Sequence, residues 1–111
     1  MTRGSVVVVG LDPTSGHEQR GRRPCVVVSD HEVGAEQRYP MLCIIPLTSR
    51  QIFGALYPRV EPGQSGIRES SSALIDQLRS VDKRRVIAIA GSLTTLEMEA
   101  VDQGLRLYLG L

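Results

Sequence analysis

With 111 residues, 41% hydrophobic and 23% charged, the chain has the make-up of one ordinary globular domain spanning 1–111. It is long enough to bury about two-thirds of its unfolded surface without covalent staples. A formal net charge of +1 does not mark a nucleic-acid binder, so any anion site must come from local clustering. Two clusters exist, Arg20, Arg22 and Arg23, and Lys83, Arg84 and Arg85. Each is a solvated face unless it shares a surface with a functional loop. Cys25 and Cys43 lie in apolar runs without metal-ligand spacing. They read as buried, reduced thiols of a cytoplasmic protein. The valine run near the N-terminus is too short for a signal peptide or a membrane span.

In chain order, Val6 to Leu11 reads as the first strand, with Gly10 a bulge or close-approach position. Cys25 to Ser29 is the second strand, and Asp30 to Pro40 a polar connection. Met41 to Leu47 is a third strand, apolar throughout and therefore expected to be covered on both faces. Ala55 to Val60 alternates enough for a fourth, with Pro58 favouring a sheet edge. Glu61 to Ser71 is rich in turn residues, and Ser72 to Leu78 carries a fifth strand. Val86 to Ile89 is either a short strand or a helical turn. The C-terminus is the clearest helix, with Thr94-Thr95-Leu96-Glu97 in capping-box form. Met98, Val101, Leu105 and Tyr108 share one face of it, and Gly104 is a place for close packing. Short strands followed by a terminal helix indicate a small, strongly bent antiparallel barrel or half-barrel.

The segment Asp12 to Pro24 stands out between the first two strands. A hairpin connection needs about two to five residues, and this one is roughly twice as long. It carries His17, Glu18, Gln19, Arg20, Arg22 and Arg23. Such a loop is either a solvated polar connection or a functional one. Its residues Leu11-Asp12-Pro13-Thr14, Gly16-His17-Glu18-Gln19 and Arg23-Pro24 resemble the MazF/PemK (Kid) toxins, the ribonuclease halves of bacterial toxin–antitoxin pairs. The resemblance continues in Pro46-Leu47-Thr48-Ser49 and in Asp76-Gln77-Leu78-Arg79-Ser80-Val81-Asp82. It thus runs along nearly the whole chain. It implies a mainly β fold with a C-terminal α-helix (α+β), an SH3-like barrel of the MazF/PemK/CcdB type that forms homodimers.

The activity the resemblance implies is metal-independent, cofactor-free cleavage of single-stranded RNA, chiefly mRNA. The RNA 2′-hydroxyl is an internal nucleophile, so the protein must supply a base, an acid and a clamp for the charge on the non-bridging oxygens. Arg23 matches the family's catalytic arginine. Its guanidinium is always charged, offers a fork matched to phosphate, and departs from a backbone that Pro24 biases toward extended conformations. The alternative is a surface arginine pairing with Glu18. Thr48 matches the catalytic threonine, with Ser49 beside it as in the PemK/Kid branch; alone, such a threonine can equally cap its own backbone. His17 and Asp76 match catalytic groups of the Kid branch, but that branch has an arginine two residues before the aspartate where this chain has Leu74. The departure favours the scheme in which Arg23 and Thr48 dominate, with Asp76 catalytic or structural.

Glu18, Gln19, Arg20 and Ser49 are candidates for orienting the loop or contacting RNA. Single-strand readers stack bases on aromatics, and this chain has only Tyr39, Phe53, Tyr57 and Tyr108. Phe53 is the candidate for stacking, against the alternative of packing under its loop; Tyr108 reads as core or interface. The expected partners are a second copy, an acidic cognate antitoxin and single-stranded RNA, with no membrane and no metal. The rival is a non-enzymatic poison or binding module of the CcdB type on the same fold. That branch relies on a C-terminal Trp-Gly-Ile, whereas this chain ends Leu109-Gly110-Leu111 and has no tryptophan.

Overall fold

A computed structural model describes residues 1–11, 16–18 and 21–111 of the chain. Its strands are β1 (Ser5–Gly10), β2 (Arg22–Val27), β3 (Met41–Thr48), β4 (Arg59–Val60), β5 (Ser71–Ala73), β6 (Arg79–Asp82) and β7 (Val86–Ser92). A short helix α1 (His31–Ala35) lies in the connection before β3, and α2 (Thr95–Leu109) ends the chain. The strands form one antiparallel sheet in the order β4-β5-β3-β2-β1-β7, with β6 also paired to β3. A mainly β chain closed by a C-terminal helix is thus what the residue pattern anticipates.

Alternate residues of the central strands feed two cores, which is why their apolar runs are continuous. Val6, Val26, Ile45 and Leu47 join Val101 and Leu105 of α2 on one face. Val7, Val9, Cys25, Val27, Leu42 and Ile44 join Val81 on the other. The helix starts where the capping box requires. The Glu97 amide donates to Thr94 Oγ1 at 3.1 Å, and the Thr94 amide donates to Glu97 Oε1 at 2.9 Å. A Cβ at Gly104 would stand 3.0 Å from the Ala55 carbonyl oxygen and 3.1 Å from Ile75 Cγ1, so glycine lets α2 seat against the Ile75 turn. Met98, Val101 and Leu105 do share the inward face. Tyr108 is half exposed, and its hydroxyl donates to the Asp76 carbonyl at 3.4 Å.

The expected fifth strand is broken. Leu47 pairs with Ala73, but Ile44 pairs with Arg79, a register change of three residues. These are taken up in a 3-10 turn, Ile75–Gln77. The cause lies across the sheet at Pro46, which accepts from the Leu74 amide at 2.9 Å but has no N–H to return. The ladder cannot continue past it, and the chain turns before rejoining β3 as β6. The expected fourth strand shrinks to Arg59–Val60, because residues 54–57 close a turn with the Tyr57 amide bonded to the Gly54 carbonyl at 3.0 Å. β2 begins earlier than expected, at Arg22, which brings Arg23 into the sheet.

Candidate active site

Strand pairing determines where the candidate residues meet. Arg23 is opposite Val9 of β1, and Cys25 is opposite Pro46 of β3. The β2–β3 pairing ends there, two residues short of Arg23 and Thr48. Arg23 is exposed, whereas Thr48 is only 5% exposed at the end of its strand. The Thr48 hydroxyl accepts from the Arg50 amide at 3.3 Å, the local cap that its residue type allows. Acceptance leaves the hydroxyl proton to donate. Arg23 and Ser49 line a cleft of about 350 Å³ floored by Val8, Pro24 and Leu47. Thr48 is beside this cleft in sequence but not on its wall.

His17 and Asp76 come together elsewhere. With Gly16, Glu18 and Gln77 they line a second depression, which adjoins one lined by Leu11, Pro46 and Arg79. Consecutive strand residues face opposite ways, so Pro46 and Leu47 direct the two clefts to either side of β3. The Asp76 carboxylate accepts from the Tyr57 hydroxyl at 2.7 Å. That hydrogen bond, followed by burial and the aspartate's charge, holds the Tyr57 phenol protonated above its usual range. The Gln77 side-chain amide donates to the His17 carbonyl at 3.2 Å. Arg79 reaches the Leu11 carbonyl at 3.5 Å, and the Leu11 amide bonds to the Gly21 carbonyl at 2.9 Å. One short segment, Asp76 to Arg79, therefore bonds to both Leu11 and His17 between β1 and β2.

Leu74 is 2% exposed and has no guanidinium to offer, but Arg79 supplies one to the cleft that Asp76 lines. Cys25 connects the two sides. Burial pushes its thiol up to about 12, with Arg79 and then Arg23 opposing the rise, so both guanidiniums are within electrostatic reach of one sulfur. Such a thiol is protonated at neutral pH and takes no nucleophilic part.

Phe53 is 78% exposed on the segment after β3. That segment is held by Ser72, whose hydroxyl donates to the Ile52 carbonyl at 3.1 Å and accepts from Arg59 at 2.7 Å. Glu18 is exposed on the second depression; Gln19 and Arg20 lie outside the described residues. Of the second basic cluster, Lys83 donates to the Val33 and Glu36 carbonyls at the end of α1, and Arg84 pairs with Asp82 at 3.0 Å. Both are thus engaged locally, while Arg85 reaches the Gly10 carbonyl at 3.4 Å. Among the described residues, no three His, Cys, Asp or Glu side chains gather to hold a metal. Tyr57, Gln77 and Arg79 were not singled out from the sequence. Their roles come from contacts across the fold, though the Asp76-Gln77-Leu78-Arg79 block itself was visible.

Residues 2–109 match the family described as the PemK-like, MazF-like toxin of type II toxin–antitoxin systems. The chain belongs to that family. Endoribonuclease MazF9 of Mycobacterium tuberculosis (strain ATCC 25618 / H37Rv) is 29% identical, the match covering 100% of this chain and 98% of that protein. Endoribonuclease EndoA of Bacillus subtilis (strain 168) is 30% identical over 98% of this chain and 94% of its own. The crystal structure of MazF from Deinococcus radiodurans superposes with a TM-score of 0.84 at 28% identity, covering 100% and 97% of the two chains. A MazE–MazF structure from that organism gives 0.78 at 26% identity, covering 100% and 96%. The bent sheet with its terminal helix is therefore the MazF-type barrel, and the toxin-family resemblance read from the motifs holds. None of the described helices is long and apolar enough to cross a membrane.

Proposed function

We propose that this toxin-family chain is an endoribonuclease that cuts single-stranded RNA by attack of a 2′-hydroxyl on the adjacent phosphorus, leaving a 2′,3′-cyclic phosphate and a 5′-hydroxyl. The observation that supports the reading is the cleft lined by Arg23 and Ser49, with Thr48 at the adjoining end of β3. The Arg23 guanidinium would bind the non-bridging oxygens and gain strength as charge builds on them. The Thr48 hydroxyl would donate a further hydrogen bond to the same group. His17, in the depression lined by Asp76, is the group suited to moving the proton between the 2′-oxygen and the leaving 5′-oxygen. Asp76 would orient His17, using the carboxylate oxygen that Tyr57 does not occupy, and Gln77 would hold the loop in place.

Exposed apolar residues offer a face to a second copy. Ile87 and Ile89 are exposed on β7 at the end of the sheet, and Leu107, Leu109 and Leu111 are exposed around the end of α2. A second copy covering such residues would give a homodimer with the β1–β2 loops flanking a shared groove. An acidic antitoxin segment would occupy that groove as a charge mimic of RNA. The test is incubation of the purified protein with a long RNA in chelator, followed by end-group analysis, with Arg23→Ala and Thr48→Ala as controls. Cyclic phosphate ends made by the wild type and lost in Arg23→Ala are expected. Equal cleavage by both variants would remove the roles, and a strict metal requirement would remove the mechanism. Capture of gyrase without RNA cleavage would favour the CcdB-type reading.

A further inference from the structure

The cleft beside Arg23 has a wall that phosphate chemistry leaves unused. That wall is the connection Glu61 to Ser70, and it is held more firmly than a solvated turn needs to be. The Ser65 hydroxyl donates to the Glu61 carbonyl at 2.6 Å. The Gln64 side chain donates to the Leu93 carbonyl at 2.9 Å, and the Ser92 amide returns a bond to Gln64 at 3.1 Å. Ser70 is fixed from two sides, accepting from Arg59 at 2.6 Å and donating to Glu61 Oε1 at 2.8 Å. Gly66, with a φ of +75°, lies so close to the Ala90 carbonyl that a Cβ would collide with it. Between the Gly66 and Ser70 anchors stand Arg68 and Glu69. Both are exposed and both line the cleft. Among the described residues neither side chain makes a hydrogen bond or ion pair; the bond to Glu69 is the Ser71 hydroxyl donating to its carbonyl.

We propose that this cleft receives one base of the RNA substrate, next to the phosphate held by Arg23, and that Arg68 and Glu69 read its Watson–Crick edge in favour of cytosine or guanine. The inference rests on the ribonuclease reading above. A base is a flat apolar ring with a polar edge, and the cleft has the complementary build, with an aliphatic floor of Val8, Pro24, Leu47 and Ile67 under a charged rim. It supplies a platform for the ring where the chain has few aromatics to stack on.

The rim chemistry selects among bases. A guanidinium only donates and an ionised carboxylate only accepts. Cytosine presents two adjacent acceptors for the Arg68 fork and a 4-amino donor for Glu69. Guanine presents two adjacent N–H donors for the Glu69 carboxylate and O6 for Arg68. Either base makes three contacts. Adenine offers one donor and one acceptor on that edge. Uracil offers a single N–H between two carbonyl oxygens, which would repel a carboxylate. Anchors at Gly66 and Ser70 hold the backbone of the rim in advance, so that only the two side chains are ordered when the base arrives.

The experiment has two arms. First, mapping cut sites on a long RNA should find one position beside the cut restricted to cytosine or guanine, which also separates those two. In a short substrate, that base is then replaced by 2-pyrimidinone (cytosine without its 4-amino group) or hypoxanthine (guanine without its 2-amino group). Wild-type kcat/KM should fall about 10- to 100-fold. Glu69→Ala should show the same fall on the intact base and no further fall on the analogue, with Glu69→Gln recovering part as a neutral acceptor. Arg68→Ala should likewise fall on the intact base. Adenine or uracil at that position, or analogue sensitivity unchanged in Glu69→Ala, would overturn the inference and leave the ribonuclease reading standing. Second, uncleavable 2′-deoxy oligonucleotides report on the cleft without the chemistry. If no RNA is cut, the ribonuclease reading fails, and equal affinity for oligomers differing only in that base would overturn the inference as well.

Discussion

The clefts on either side of β3 are built from different materials. The one beside Arg23 has an aliphatic floor and a wall locked by the Ser65, Gln64 and Ser70 hydrogen bonds. The one beside Asp76 is polar, and its hold on the His17 carbonyl includes the Gln77 amide at 3.2 Å. A rigid, apolar-floored site suits binding and fixed charge, because electrostatic stabilisation depends on dipoles that need not reorganise. A polar site with a carboxylate, an imidazole and a phenol suits proton movement. The two are joined through the end of β3 and through the guanidiniums that both act on Cys25. The proposed roles follow that contrast, with Arg23 as clamp at the first cleft and His17 with Asp76 moving the proton at the second.

Arg23→Ala should break the first cleft most severely. Loss of an oxyanion-type donor lowers kcat by about 10²- to 10³-fold, and thermal unfolding should barely change because the side chain is exposed. His17→Ala on the same scale compares the second cleft, and the double variant sharpens the contrast. If both groups act on one transition state, the combined loss will be smaller than the product of the single losses. A full product would mean that the two sides act independently. Next in size is Gly66→Ala, which needs a left-handed backbone and meets the Ala90 carbonyl. It should destabilise the fold by about 1–3 kcal/mol in denaturant titration, and an unchanged midpoint would mean the wall is looser than its hydrogen bonds indicate. Tyr57→Phe should be milder, removing one hydrogen bond to Asp76 and lowering kcat a few-fold with KM little altered. A rise in KM alone would assign Asp76 to holding the loop.

Much of the first cleft was legible in the sequence because its parts are consecutive. The valines of β1 announce a strand, the apolar run of β3 one covered on both faces, and Thr94 with Glu97 the helix. Arg23, Pro24, Leu47 and Ser49, at the ends of β2 and β3, then line the cleft. The break after Ala73 was not legible, since Ser72 to Leu78 is locally a good strand and the obstacle is Pro46 on its neighbour. Arg68 and Glu69 were hidden for a similar reason. Their position comes from Gly66 meeting Ala90 and Ser70 meeting Arg59, contacts between segments distant in the chain. Tyr57 could not be read as a partner of Asp76 until the turn at 54–57 replaced the expected strand.

The smallest effect concerns Cys25, between the two clefts. Burial raises its thiol from 9.0 to about 12, so the native state keeps a proton that the unfolded chain releases at lower pH. Between those values the native state binds more protons than the unfolded state, and stability must fall as pH rises. The thiol's contribution is fully present below about pH 9 and is lost progressively toward pH 12, by at most about 1.4 kcal/mol per pH unit. Tyrosines and lysines titrate in the same range, so the measurement is a difference. Urea unfolding of wild type and Cys25→Ala at pH 7.5, 9 and 10 should give curves that converge as pH rises, with the variant less stable at pH 7.5 through its lost packing. Parallel curves would mean that the thiol ionises in the folded protein as readily as in the unfolded chain. The guanidiniums of Arg23 and Arg79 would then fully offset burial at Cys25.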